Sequence, residues 1–463
     1  MPMKELLSRL PKVGKLLDSP EWKGVQSRCS REQVKAALEA ELDIARQAIR
    51  AGVRQAPSGE ELLLRVEARL GRLLQAGPRR VLNGTGVIIH TNLGRSPLAR
   101  EAAAAAAEAA GYCNLEMDMD SGERGSRHAH VEQLLCRLTG AEAAMVVNNN
   151  AAAVMLALGG VARGREGIIS RGQLVEIGGS FRVPEVMAQS GIRLVEVGTT
   201  NKTYIEDYRQ AIGPDTGVIL RVHPSNFRVV GFQQEVTLAE LVALGREYNL
   251  PVLDDLGSGS LVDLRPWGIE EPTVQESVAA GADLVCFSGD KMLGGPQCGI
   301  ICGKKHWLAR LKTHPLARAL RCDKIALAAL AATLALYMQP EGWRHIPVLA
   351  MLTEDMAAVE ERAQQLAGQI RSLPAQAEVV ADTSPVGGGA LPLHQLETRA
   401  VRVQPEGLPA QAAARALRLG SPPLVVRIHE DALLIDVRTL RGEEIALAAK
   451  ALAQVLGGEA NGQ

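Results

Sequence analysis

Two apolar runs, each ending in charge, constrain this chain most. Pro251-Val252-Leu253 runs into Asp254-Asp255 and then Leu256-Gly257-Ser258-Gly259. Further on, Leu284 to Phe287 runs into Ser288-Gly289-Asp290-Lys291 and a glycine-rich turn. Short apolar runs of this kind are strands buried on both faces of a parallel sheet. Ligands on such sheets bind beyond the carboxyl ends of the strands. A strand-end lysine and a strand-end carboxylate are the pair that pyridoxal phosphate requires. The amine holds the aldehyde, and the carboxylate keeps the pyridine nitrogen protonated so that the ring accepts electrons. Alone, either would be a solvated turn lysine or a capping aspartate. Side chains alternate along a strand, so Asp254, which leaves it first, is favoured over Asp255 as the ring partner. The glycines after Lys291 predict little shielding of its amine.

The rest of the chain fits a sheet of that class. From Arg79 onward strand-like runs (Met145–Val147, Gly167–Ser170, Leu194–Val197, Gly217–Val222) alternate with helical stretches such as Ala151–Leu158, Val183–Gln189 and Leu238–Tyr248. Alternating β and α units imply a mostly parallel sheet covered by helices. Residues 1–75 read as a helical domain and linker helix. In it, Ser30 precedes Arg31-Glu32-Gln33 as a helix start, and a second helix runs from Glu60 to Leu74 before Gly77-Pro78. Residues 76–330 form the large α/β domain. Residues 331–463 form a smaller α+β domain with a long helix (Thr353–Ile370), hairpin strands, a helix over Gly442–Leu456 and a frayed tail from Gly458.

Composition narrows the function classes. The net charge is −1, yet residues 1–80 hold 16 Lys/Arg against 10 Asp/Glu while the remainder hold 35 against 42. A basic N-terminal segment on an acidic body suits a polyanionic partner, although a solvated helical face gives the same counts. The start, Met1-Pro2-Met3-Lys4-Glu5, predicts no export leader. The longest apolar stretch, Ile325–Met338, is too short for a bilayer, which takes about 20 residues. Seven cysteines without a Cys-x-x-Cys pair predict reduced thiols, a cytoplasmic protein and no metal centre.

Two further constellations carry chemistry. Met145–Val147 runs into Asn148-Asn149-Asn150, which opens a helix; amides at a helix N-terminus bind phosphate. Helix capping alone would explain the asparagines, but in this kind of sheet they and Ser288 are expected phosphate contacts. Arginines form the second set: Arg95 in a turn, Arg124 and Arg127 in a loop, and Arg318 and Arg321 on one face of a helix by their spacing. Guanidinium groups gathered in a pocket hold a small oxyanion.

The runs Leu82-Asn83-Gly84-Thr85-Gly86-Val87, Thr91-Asn92-Leu93-Gly94-Arg95-Ser96-Pro97-Leu98, Leu138-Thr139-Gly140-Ala141-Glu142, Glu176-Ile177-Gly178-Gly179-Ser180-Phe181-Arg182, Glu196-Val197-Gly198-Thr199-Thr200-Asn201 and Ser288-Gly289-Asp290-Lys291 resemble the bacterial L-seryl-tRNA(Sec) selenium transferases, or selenocysteine synthases. The similarity extends to Leu10-Pro11-Lys12-Val13, Pro385-Val386-Gly387-Gly388-Gly389 and Leu434-Ile435-Asp436-Val437-Arg438-Thr439. The resemblance implies a pyridoxal-phosphate enzyme of fold type I, the aspartate-aminotransferase-like fold, assembled as a homodecamer of five dimers with active sites at dimer interfaces. It implies that the N-terminal domain recognises tRNA(Sec) and that Lys291 carries the cofactor. Arg95, Arg318 and Arg321 would line the selenium-donor pocket, with Asp290 beside them.

The implied reaction eliminates the serine β-hydroxyl of seryl-tRNA(Sec) to give aminoacrylyl-tRNA, and selenium from selenophosphate then adds at Cβ. Hydroxide leaves poorly, so an acid is needed, with His90, His128 and His223 as candidates. Two alternatives stand beside this: a pyridoxal-phosphate lyase acting on a phosphorylated amino-sugar acid, and a tRNA-binding scaffold without catalysis. The N-terminal helical domain argues against the first. Intact Lys291, Asp254 and Asn148–Asn150 argue against the second.

Overall fold

Largely apolar segments of five to seven residues recur between helices in the middle of the chain, and they pair into one seven-stranded sheet. The computed structural model describes residues 3–74, 77–177, 181–224 and 227–457. The sheet order is Ala143–Val147, Gly299–Gly303, Leu284–Ser288, Val252–Gly257, Thr216–Val222, Glu166–Ser170, Arg193–Val197. Gly299–Gly303 runs antiparallel to both its neighbours; the other strand pairs are parallel. Each face carries its own core. One holds Leu135, Leu241, Val274 and Leu330 from the helices, and the other holds Leu156, Met187 and Leu308. Burial on both sides explains why these strands read as continuous apolar runs rather than alternating ones. The parallel strands end along one edge, where the Asn148–Asn150 turn, His223, Gly257 and Lys291 follow.

A second sheet runs Leu82–Gly84, Leu424–His429, Ala432–Asp436, Ala390–Pro405, Ala375–Gly387, covered by Met356–Ile370, Ala410–Leu419 and Glu444–Leu456. Its first strand comes from the segment assigned to the large domain by sequence: Leu82 pairs with Leu424 and Gly84 with Val426. The expected boundary at 330/331 also falls inside a helix, Lys324–Tyr337. Contacts divide the chain into two compact units, Met1–Arg80 and Val81–Gln463, so both sheets share one unit. The tail expected from Gly458 lies outside the described residues.

The crossing segment is pinned where it leaves the small sheet. Asp436, fully buried, accepts from Ser384 Oγ (2.6 Å), Thr398 Oγ1 (2.8 Å) and the Arg438 amide (2.9 Å). Gly86 lies on this carboxylate with φ +80, and a Cβ there would stand 2.1 Å from Asp436 Oδ2. Ile89 then donates to the Val386 carbonyl at 2.7 Å, and the His90–Arg95 turn follows.

In the N-terminal unit, Ser30 opens the expected helix, Arg31–Arg50, and forms a capping box with Gln33. The apolar positions Val34, Leu38, Leu42, Ala45 and Ile49 recur at helical spacing and are buried. Val34, Leu38 and Leu42 pack with Trp22 and with Leu62, Val66 and Leu70 of the Gly59–Leu74 helix. All seven cysteines are free. Among the described residues no helix is long and apolar enough to cross a membrane, and no cluster of three His, Cys, Asp or Glu side chains could hold a metal.

Candidate active site

The turn after Leu284–Ser288 is held from three directions. Gly289 donates to the Cys298 carbonyl (2.9 Å), Met292 to the Ser258 carbonyl (3.0 Å), and Ser96 Oγ lies 2.9 and 2.7 Å from the Asp290 and Lys291 carbonyls. These contacts close the glycine-rich turn over the lysine. Lys291 is therefore buried, with 6% of its surface exposed, and not weakly shielded as its glycine neighbours suggested. Burial pushes its ammonium below the usual lysine range, while Asp255, Asp290 and Glu271 oppose that and Arg95 adds to it.

The two aspartates of Val252–Gly257 separate to opposite sides. Asp254 is fully buried between Arg221 Nη1 (2.9 Å) and Ser277 Oγ (2.7 Å). Asp255 accepts from Asn150 Nδ2 at 2.9 Å and is the aspartate whose charge most favours the Lys291 ammonium. The expectation that Asp254 faces the site is thus corrected to Asp255. The strand continues to Gly257, so Asp254 does not leave it first, and the alternation places the next carboxylate on the lysine's side. Burial raises the Asp255 carboxyl to about 6, against the pull of Asn150 and Lys291.

The three asparagines divide their work. Asn149 caps the helix Asn150–Ala162 by accepting the Ala152 amide at 2.9 Å. Asn150 reaches Asp255, and the Asn148 side chain is exposed while its amide donates to the Leu320 carbonyl at 2.9 Å. Ser288 turns its hydroxyl to Asp290 Oδ1 at 2.7 Å, so it supports that carboxylate. Arg95, in the left-handed region at φ 64, donates to both Asp290 oxygens.

Arg318 and Arg321 do not share a helix face: the short helix ends at Ala319, and Arg321 forms a bridge with Val147. Both still line one cleft of about 510 Å³, with Arg124, Arg127, His128 and Lys312. Arg124 and Arg127 are paired with Glu116, whereas Arg318 and Arg321 make no ion pair among the described residues. The Val147 bridge and the Leu320–Asn148 bond join this cleft to the asparagine turn.

Of the histidines, His128 accepts the Val146 amide and is held down to about 4, by burial first and Lys312 second. His223 donates its amide to the Asp255 carbonyl; burial, then Arg221, Arg228 and Lys291, lower its ring to about 4. It lines a polar cavity of about 330 Å³ with Ser170, Gln173, Thr203, Arg221 and Arg228.

Pyridoxal phosphate fits this donor set. A buried amine, a buried carboxylate and a helix N-terminus lie at the same end of three strands of the sheet. Asn150 Oδ1, His223 Nδ1 and His90 Nδ1 are buried there without hydrogen-bond partners among the described residues, leaving polar capacity that a buried site does not ordinarily waste.

A sequence model described as L-seryl-tRNA selenium transferase matches residues 81–441. The chain belongs to this family. A second model, selenocysteine synthase N terminal, matches residues 7–46, inside the helical unit. Relatives named L-seryl-tRNA(Sec) selenium transferase include one from Carboxydothermus hydrogenoformans, 49% identical over 99% of this chain and 100% of its own. One from Moorella thermoacetica is 51% identical over 100% and 99%. One from Nitratidesulfovibrio vulgaris is 53% identical over 90% and 91%. The solved structure of D-glucosaminate-6-phosphate ammonia-lyase superimposes with a TM-score of 0.58 at 24% identity, covering 86% of this chain and 99% of that one, which shows the shared fold. The chain has the expected fold type I, and its cofactor is pyridoxal phosphate. Sequence reasoning weighed Asp255 but favoured Asp254, and it gave Ser96 no role although Ser96 lies in the Thr91–Leu98 run.

Proposed function

We propose that this chain converts L-seryl-tRNA(Sec) to L-selenocysteinyl-tRNA(Sec), taking selenium from selenophosphate. The observation that carries it is the buried Lys291 amine beside Asp255, with the Arg318–Arg321 cleft joined to the same strand ends. Once bound, pyridoxal phosphate supplies an electron sink for the charge left at the serine Cα. Lys291 would hold the cofactor and is placed to move the Cα proton; burial lowers its ammonium below the usual lysine range, which eases loss of its proton. Asp255, oriented by Asn150, would face the pyridine nitrogen and keep it protonated. Amides at the Asn149-capped helix start bind the phosphate. Arg95 fixes Asp290 at the donor side, and Arg318 and Arg321 hold the donor oxyanion.

The +6 segment, residues 1–80, binds the tRNA, and the chain works in the cytoplasm as a ring of five dimers. Elution at monomer or dimer size on a sizing column would contradict the ring. The lyase and scaffold alternatives are disfavoured, since the N-terminal match has no use in the first and the buried lysine none in the second. The deciding experiment is mass spectrometry of the aminoacyl group after incubation with seryl-tRNA(Sec) and selenophosphate. Serine should become selenocysteine with wild-type protein and stay serine with Lys291→Ala.

A further inference from the structure

Departure of the serine hydroxyl needs a proton, and two of the three histidines offered by the sequence are poorly suited to give one. His128 spends Nδ1 on a backbone amide, and both His128 and His223 are held neutral down to about 4. Another group lies closer to the lysine than its sequence setting suggests. Glu271 sits between the Arg265–Trp267 turn and the Val274–Ala280 helix, next to an exposed Glu270, where the pair reads as solvated surface. It is instead 5% exposed, and its Oε1 is buried with no hydrogen-bond partner among the described residues.

Backbone register explains the burial. Ser260 and Thr273 form a parallel bridge, and Val274 donates to the Ser260 carbonyl at 3.0 Å. Followed back two residues on each side, that register sets Ser258 against Glu271. The Ser258 carbonyl takes the Met292 amide, one residue beyond Lys291. Ser258 is fully buried, and its hydroxyl bears on the Glu271 carboxyl. Lys291 and Glu271 influence each other's titration, and Arg228 bears on Glu271 as well. A buried carboxyl with one oxygen left without a partner costs free energy unless it is neutral or in use. Burial holds this one above the ordinary carboxylate value, against Ser258, Lys291 and Arg228.

We propose that Glu271 is the acid that protonates the departing serine hydroxyl. The inference rests on the selenium-transferase reading above. In the step, the Cβ–O bond breaks, the electron pair leaves with oxygen, and the Glu271 proton completes a water molecule. The Cα proton goes to the Lys291 amine, so the lysine ends protonated and the glutamate ionised. Proton return from Lys291 to Glu271 restores both, and the net change is loss of water from the seryl group.

The test uses the cofactor-loaded full chain and seryl-tRNA(Sec) in D2O. It reads deuterium at Cα of recovered serine and, separately, aminoacrylyl formation. Glu271→Gln should exchange Cα hydrogen within about threefold of wild type while elimination falls about 100-fold or more, the range of general acid catalysis. Glu271→Asp should recover part of that loss, and a β-chloroalanyl ester of the same tRNA, whose leaving group needs no proton, should react with Glu271→Gln almost as with wild type. Elimination by Glu271→Gln within fivefold of wild type would overturn the proposal. So would equal losses of exchange and elimination, or slow reaction of the chloro ester. If Glu271→Gln does not fold, Glu271→Asp decides by the same ratio of elimination to exchange. Wild-type protein that exchanges Cα hydrogen yet never loses hydroxide would overturn the parent reading and this one together; normal wild-type turnover with an unaffected variant would overturn this one alone.

Discussion

Arg95 donates from one guanidinium nitrogen to both carboxylate oxygens of Asp290, at 3.1 and 2.9 Å, across 195 residues of sequence. Asp290 is the residue before the buried lysine, so this pair ties the turn entering from the small sheet to the lysine's own turn. The arginine is about a third exposed and the aspartate nearly buried. Arg95→Ala therefore strands a desolvated carboxylate with Ser288 as its one side-chain donor among the described residues. We expect a loss of about 1–3 kcal/mol, read as a lower urea midpoint at unchanged slope. An unchanged midpoint would contradict the assignment.

Asp254 and Asp255 should behave oppositely on substitution. Asp254→Asn breaks a buried ion pair with Arg221 and should cost about 3–5 kcal/mol of stability. Asp255→Asn removes a carboxylate that burial already disfavours, so stability should change little while turnover falls by more than 100-fold. Denaturation midpoints and single-turnover rates on the two variants separate these outcomes. Equal destabilisation by both would mean the two carboxylates are not divided as described.

The cofactor-free protein should lose stability on mild acidification. His128 and His223 bind protons at 6.5 when unfolded but only near 4 when folded. Between those values the unfolded chain holds more protons, so stability falls as pH drops. From pH 7 to pH 5 this amounts to about 2 kcal/mol per histidine. Asp255, raised from 3.8 to about 6, works the other way below pH 6 and returns about 1 kcal/mol. Unfolding free energies at the two pH values should therefore differ by a few kcal/mol, and His128→Gln should shrink the difference.

Gly86→Ala should prevent proper folding of the small sheet. A methyl group at that position meets the Asp436 carboxylate at 2.1 Å on a backbone at φ +80. Asp436 is already fixed by three donors and cannot withdraw. We expect a penalty of at least about 2 kcal/mol, seen as reduced soluble yield and a lower melting temperature. Wild-type melting would show that the contact yields.

Much of the fold was legible because doubly buried strands leave apolar runs that no surface residue interrupts. Gly299–Gly303 was not legible, since glycines bracket its short core of Ile300-Ile301-Cys302 and blend into the turn before it. Leu82–Gly84 is too short to show a period. The hairpin strands Ala375–Gly387 and Ala390–Pro405 each looked like a brief run because their outer faces carry charged and polar residues such as Asp382 and Gln395. At the site, lysine and asparagines stood out by type and place, whereas the choice between Asp254 and Asp255 turned on where the strand stops. Glu271 left no mark, because its burial comes from a single bridge between loops.

The pairing of Leu82–Gly84 with Leu424–Val426 also governs when the site can exist during synthesis. The N-terminal helical unit has all its partners early and can fold as it emerges. The strand that leads to Arg95 must wait at a sheet edge for a partner translated near the end of the chain. Such distant pairing is slow to form and leaves a strand edge open meanwhile. A ribosome that stalls before Leu424 thus releases a chain whose basic N-terminal unit is folded while Arg95 has no fixed place beside Asp290.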